Sequence, residues 1–250
     1  MKIKFIVLFV CLYLFALLVT LPASILTGFI PQSVGLKIAG VSGYAWQGEA
    51  ALLSYNKKHH FDRVSWNLDW LALTTLQVKV NVKFNNGRHA ISGEGVVKSG
   101  FFGRGIENLK LDLSAAQLLA YADLPLPIEA FGNITIAVKD ATLGDPYCAT
   151  LEGVVDWENA MINSQLGELD LAAANIKLSC DNGNLVALIE QKSEQINSNI
   201  SALLQKGGLF KLTGTIREND KLSPDISQAL TWVGPKDASG ATVLNFNGRL

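Results

Sequence analysis

Gln77-Val78-Lys79-Val80-Asn81-Val82-Lys83-Phe84 alternates polar and apolar side chains without a break. Successive side chains of a strand point to opposite faces, so this period of two gathers Val78, Val80, Val82 and Phe84 on one face and sends the lysines and Asn81 to the other. Asn86-Gly87 then supplies a hairpin signal, and residues 89–97 read as the returning strand. A strand of this kind needs a partner for its apolar face, so the reading fixes a sheet before anything else in the chain is considered.

Outward from this hairpin the same alternation recurs. Leu109, Leu111 and Leu113 flank Lys110 and Asp112; Ile134, Ile136 and Val138 flank Thr135 and Ala137; Leu169 and Leu171 flank Asp170; Ile176 and Leu178 flank Lys177. Asp181-Asn182-Gly183-Asn184 is a further turn, followed by apolar-polar runs at 185–190, 196–204 and 210–217. The spacing predicts roughly ten to fourteen strands in an antiparallel, mainly β architecture. Glycines inside three strands of similar build, at 93, 153 and 214, mark bends or bulges and suggest a long, curved sheet folded over on itself more than a flat sandwich. The apolar inner face, with Val78, Val80, Val82 and Phe84 in it, either packs against itself or leaves an apolar groove; alternation allows both. Two short helices are expected as covers over a sheet edge or end: 114–122, with Ser114 as cap and prolines beyond it, and 225–232, opened by Ser223-Pro224.

The chain is 49 % hydrophobic and 17 % charged, more apolar than a typical soluble domain. Part of the excess is one uncharged run, FIVLFVCLYLFALLVTL at 5–21, which with the continuation PASILTGFI reaches across about 30 Å of hydrocarbon as a helix. Lys2 and Lys4 precede it and the next charge is Lys37, so the positive-inside rule places residues 1–4 in the cytoplasm and exports the rest of the chain beyond the span. A cleaved secretory signal is the competing reading. Its apolar region is about 7–15 residues and ends at a small-x-small site, whereas here the run is longer and Leu21 occupies the outer position of Leu21-Pro22-Ala23. The expected organisation is therefore a cytoplasmic tail at 1–4, a transmembrane signal-anchor and its extension at 5–30, and a periplasmic β domain at 31–250. Cys148 and Cys180 are the two cysteines of the exported part, where an oxidising compartment permits a disulfide between them; two buried free thiols are the alternative.

The residues offer no chemistry. Three histidines at 59, 60 and 89 have no partners at metal-ligand spacing, and no nucleophile elbow, His-Glu-x-x-His or Cys-x-x-Cys occurs, so no catalytic residue, metal site or cofactor is expected. The exported part is slightly acidic without basic blocks and would repel phosphate backbones weakly, so nucleic acid is a poor candidate partner and none is expected. Of the tryptophans at 46, 66, 70, 157 and 232, packing in the core is the default expectation.

Gly40-Val41-Ser42-Gly43-Tyr44-Ala45-Trp46-Gln47-Gly48-Glu49-Ala50, behind a membrane anchor and ahead of Val64-Ser65-Trp66, resembles the protein N family of bacterial type II secretion systems. Downstream, Tyr147-Cys148, Leu151-Glu152-Gly153-Val154-Val155-Asp156-Trp157, Leu178-Ser179-Cys180, Gly240 and Asn247-Gly248-Arg249-Leu250 are similar to that family's pattern as well. The resemblance implies an inner-membrane accessory component of the machine that exports folded proteins from periplasm to medium, non-catalytic and without cofactor. Its partners would be the inner-membrane subunits of that system, with membrane lipids around the anchor. A more distant likeness to the AsmA-like group implies a curved sheet with an apolar interior, and with it the alternative of a lipid-binding or lipid-transfer module. On this pattern the residues of interest are Gly43, Trp46, Gly48, Gly153, Trp157, Gly240, Gly248, Arg249 and Leu250.

Overall fold

The computed structural model describes residues 2–29, 35–55, 59–86, 91–101, 103–122 and 127–249. They are ordered as α1 (Lys2–Val19), α2 (Ser24–Phe29), β1 (Leu36–Gly43), β2 (Gln47–Tyr55), β3 (His59–Leu68), β4 (Gln77–Asn85), β5 (Ser92–Gly100), β6 (Gly103–Ser114), α3 (Ala115–Ala122), β7 (Ile128–Leu143), β8 (Cys148–Ser164), β9 (Gly167–Asp181), β10 (Asn184–Lys192), β11 (Ile196–Gln205), β12 (Leu209–Glu218), α4 (Pro224–Val233) and β13 (Thr242–Arg249). The thirteen strands form one antiparallel sheet whose spatial order is the sequence order. The mainly β, antiparallel architecture is as the alternation required, because tight turns can join only antiparallel neighbours.

Local chemistry sets the turns and caps. Asn182 and Gly183 both have positive φ, at 48° and 84°, the conformation of the two-residue hairpin loop whose twist matches the strands it joins. Asn86 N–H donates to Ile91 O across the turn that follows β4, and Gly87 and His89 lie outside the described residues. Ser114 and Gln117 cap α3 reciprocally, each side chain accepting from the other's backbone N–H, and Ser223 Oγ accepts from Ile226 N–H at the start of α4. Register shifts interrupt the β5–β6, β7–β8 and β8–β9 ladders, and each such bulge bends and twists its strand. The glycine expectation holds in part. Gly93 and Gly153 lie beside register shifts, whereas Gly214 sits in an unbroken ladder and is small because an added Cβ would meet Asn199 O at 2.3 Å.

The sheet buries little of itself. The chain exposes 16352 Å2, whereas a compact protein of this size would expose about 11,000 Å2. The buried clusters are small: Leu113, Ala115, Ala130 and Ile134 form one, Ala160, Leu171 and Ile196 the other. The first is made by β6, β7 and α3, the second by β8, β9 and β11.

Helix α1 is eighteen residues long, and its described side chains from Lys4 to Leu14 are exposed. Among the described residues no helix is long and apolar enough to cross a membrane; the side chains of Ile3 and Phe15 in α1 fall outside them. The apolar stretch at 5–30 is not one helix. Pro22 has no N–H and forces Leu21 out of the helical region, so α1 ends and α2 begins separately two residues beyond. α2 is therefore a helix the sequence reading did not separate from the span.

Candidate functional site

The end of α1 is seated on the turn between β1 and β2. Trp46 Nε1 donates to Leu18 O at 2.7 Å, Ala45 N–H donates to Leu21 O at 2.8 Å, and Ala23 N–H donates to Gly43 O at 3.0 Å. The last turn of a helix leaves carbonyls without partners, and here the sheet supplies the donors. Trp66 Nε1 in turn donates to Ala45 O at 3.1 Å, and the Trp46 and Trp70 rings lie 5.3 Å apart. The turn holding α1 is thus fixed from below by the next strand.

This joint explains the glycine-tryptophan pattern. Gly43 has a φ of 86°, and a Cβ on it would meet Gln47 O at 2.8 Å. Gly48 is the cross-strand partner of Trp66, and a Cβ there would meet the indole at 2.6 Å. The same device recurs where Gly93 faces Phe84 and Gly248 faces Phe210, with added Cβ atoms 2.8 Å and 2.5 Å from the rings. In all three strand pairs an aromatic ring lies over the glycine opposite it.

The structure brings Gly43, Trp46 and Gly48 together and leaves the other pattern residues apart. Gly153 and Trp157 are on β8, Trp157 donating to Phe131 O at 2.9 Å and packing against both buried clusters. Gly240 is in the turn before β13, where its N–H donates to Asp237 O; Arg249 Nε donates to Gly207 O at 2.9 Å; Leu250 lies outside the described residues. The disulfide between Cys148 and Cys180 is formed, joining the start of β8 to the end of β9 with the two Cα atoms 6.1 Å apart.

Val80, Val82 and Phe84 are half-buried and Val78 is 44 % exposed, so this face is apolar but not closed. Register pairs carry it across the sheet. Phe84, Gly93, Leu111, Ile136, Val155, Ile176, Ile189, Ile200, Gly214 and Leu244 are successive partners from β4 to β13. Directly opposed residues share a face, so one apolar row spans ten strands, and most of its side chains are only half-buried. At the end of the strands where α3 sits, that face is covered: Ala115 and Leu119 pack with Leu113 and Ile134, and Leu222, ahead of α4, packs against the cluster of Ala160, Leu171 and Ile196, as Ile216 does.

The opposite face is ionic. Lys83 pairs with Glu94 at 2.7 Å and Lys177 with Glu190 at 3.4 Å. Lys79, Lys98, Glu107 and Asp140 form a closer group: Glu107 contacts Lys79 at 2.6 Å and Lys98 at 3.3 Å, and Lys98 bonds Asp140. The Lys79 hydrogen bond, opposed by burial and aided by Lys98, holds the Glu107 carboxyl below its ordinary range. The Lys98 ammonium and then the Thr150 hydroxyl do the same for Asp140, and the Asp140 hydrogen bond raises Lys98.

The default expectation for tryptophans fails at Trp232, 78 % exposed on α4, and at Trp70, exposed beside Trp46. Neither lies on the alternating face of a strand, which is what drives burial here. Sequence reading also missed the connection 69–76 between β3 and β4. Its LALTTL at 71–76 is apolar without alternation, a signal for something other than a strand; Leu71 and Leu76 are each 79 % exposed.

A sequence model of the family "Type II secretion system (T2SS), protein N" matches residues 34–245. The chain is similar to the type II secretion system protein N of Aeromonas hydrophila, 30% identical over 100% of this chain and 99% of the relative. It is also similar to the proteins of that name from Vibrio cholerae serotype O1, 28% identical over 94% and 93%, and Pectobacterium carotovorum, 28% identical over 92% and 90%. No solved structure matches the chain.

Proposed function

Because the chain belongs to the type II secretion system protein N family, we propose that it is an inner-membrane accessory subunit of that machine. In this reading α1 is the anchor, residues 1–4 are cytoplasmic, and the sheet is a periplasmic, non-catalytic interaction domain. Eighteen residues at 1.5 Å each give α1 a rise of about 27 Å, close to the hydrocarbon thickness of a bilayer. In lipid an unpartnered backbone carbonyl costs several kcal/mol, and the donors from Trp46 and Ala45 sit where α1 would leave the hydrocarbon. Lys2 and Lys4 favour the cytoplasmic side for the opposite end.

The observation that carries the interaction role is the open sheet. Strand β13 pairs only with β12 over Leu244–Arg249 among the described residues, while Pro235 and Lys236 cover its first two positions. An edge of this kind is a template for a strand from another chain, and the inner-membrane subunits of the secretion system are the proposed partners. Deleting the gene and measuring secreted enzymes in the medium tests the role: secretion should fall, and unchanged secretion with unchanged assembly of the inner-membrane platform would refute it.

The half-buried apolar row favours a second reading, in which the sheet curls around that face and holds acyl chains in a groove. Phospholipid would then co-purify with the wild-type chain and be lost in Val80→Asp; purification free of lipid would leave the face as scaffold alone.

A further inference from the structure

The strands run between two ends, and the ends differ. At the one where α1 is seated lie the turn 44–46, the connection 69–76, the tip at 101 and the turns 144–147, 182–183 and 206–208. At the other lie the turn after β4, α3, residues 165–166 and 193–195, and α4. Burial separates them: α3 and Leu222 cover the apolar face at the far end, whereas the α1 end carries the most exposed large apolar side chains among the described strands and connections. Phe101 is 88 % exposed and Leu143 67 %, next to Leu71 and Leu76, with Tyr44, Trp70 and Leu73 exposed beside them.

Three of these side chains stand at the ends of neighbouring strands. Gln77 pairs with Gly100 and Gly105 with Thr142, so Leu76, Phe101 and Leu143 stand on the ends of adjacent strands from β4 to β7. The run at 71–76 contains no charge, and Leu76 is held at a φ of 56°, a left-handed conformation uncommon for leucine. Trp46, Trp70 and Tyr44 gather at the helix exit, and tryptophan and tyrosine are the residues that favour the headgroup level of a bilayer. Scattered single apolar residues on a surface mean little, but a contiguous apolar patch marks an interaction site.

We propose that this end of the sheet lies in the bilayer interface beside α1, with Trp70, Leu71, Leu73, Leu76, Phe101 and Leu143 entering the headgroup and upper acyl region. The sheet then stands on the membrane with its apolar face open at the lipid surface and covered at the far end. This placement rests on α1 being an anchor, because the helix fixes which end of the strands meets the bilayer. Lipid is the occupant that fits: the side chains come from the connection 69–76, the tip at 101 and the end of β7, all at the end of the sheet where α1 is seated, and Trp70 reaches the helix through Trp46.

The test uses the full chain with Cys11→Ser, the disulfide intact, in vesicles of phosphatidylethanolamine and phosphatidylglycerol. Single cysteines replace Leu71, Phe101 or Trp232, each labelled with the fluorophore NBD; Trp232 is the exposed reference at the far end. Lipid carrying a doxyl group near the headgroup should quench positions 71 and 101 about threefold more than position 232, with aqueous iodide giving the reverse order. Equal iodide access at all three positions in a chain that floats with the vesicles and resists alkaline extraction overturns the placement and leaves the anchor standing. A chain that does not remain with the vesicles overturns both. Labels shielded from iodide yet unquenched by lipid overturn it in favour of contacts between copies of the chain.

Discussion

Strands β7, β8 and β9 are fifteen to seventeen residues long and carry most of the bulges, the disulfide and most of the two buried clusters. Strands β1 to β5 are eight to ten residues long, keep Val78 to Phe84 half-exposed, and carry the joint to α1 and the apolar tips. The same period of two built both regions. In the middle of the sheet, long strands give α3 and Leu222 enough apolar surface to pack on; beside α1, Ala50, Val64 and Leu68 are buried, but the β4 row from Val78 to Phe84 stays half-open. The two buried clusters and the disulfide therefore tie the central strands, and the joint to α1 belongs to the short ones. A large effect of substitution in the first group and a small one in the second is the signature of this division.

The largest loss is expected for Cys148→Ser with Cys180→Ser. Opening a loop whose ends are 32 residues apart removes about 3.5 kcal/mol on the chain-entropy account, read as a fall in the urea midpoint with a steeper slope, because the unfolded chain without the crosslink exposes more surface. Next is Ile134→Ala in the α3 cluster, about 3 kcal/mol, against under about 1 kcal/mol for Val82→Ala on the half-open face. Equal costs for those two would break the comparison. Trp46→Phe keeps a ring but loses the donor to Leu18 O; about 1 kcal/mol is expected at the joint, seen as faster amide exchange at Ala23 and Ala45 with little change at β8.

Acid sharpens the same contrast through the ionic face. Glu107 and Asp140 are depressed in the folded chain, so their contribution is present above their unfolded values and lost as pH falls through the folded ones. Lys98 is raised, so its contribution is full below its unfolded value and lost as pH rises through the folded one. Between these limits the group adds a constant amount, up to about 1 kcal/mol for side chains this exposed. Lys98→Met should flatten the acid limb of a stability-pH curve; an unchanged limb would mean that other carboxylates set it. The smallest effect belongs to Leu71→Ser, within about 0.5 kcal/mol in solution, because the residue is 79 % exposed. A larger loss would show that the side chain packs on the fold and does not project from it.

Strand 77–84, the turn at Asn182-Gly183, the caps at Ser114 and Ser223 and the cysteine pair were all legible, because each depends on neighbours close in sequence or on a pair with few alternatives. The family pattern was legible too, but its meaning was not. Gly43, Trp46 and Gly48 have a role only once Leu18, 28 residues before Trp46, is seen to accept the indole N–H. The split at Pro22 and the exposure of Leu71, Leu76 and Trp232 were hidden for a related reason: hydropathy counts apolar residues without saying which of them find cover.

Alternation by itself settled that this chain is a sheet with one apolar side, since the geometry of a strand leaves no other placement for every second residue. It also settled that the first apolar run is helical, because an uncharged stretch of that length satisfies its backbone most simply within itself. Whether the apolar side is packed or open, which end of the strands receives α1, and which glycines sit beneath rings were decided only by the three-dimensional arrangement. Those features are set by cross-strand register and strand length together, and both are properties of pairs of segments that no single segment encodes.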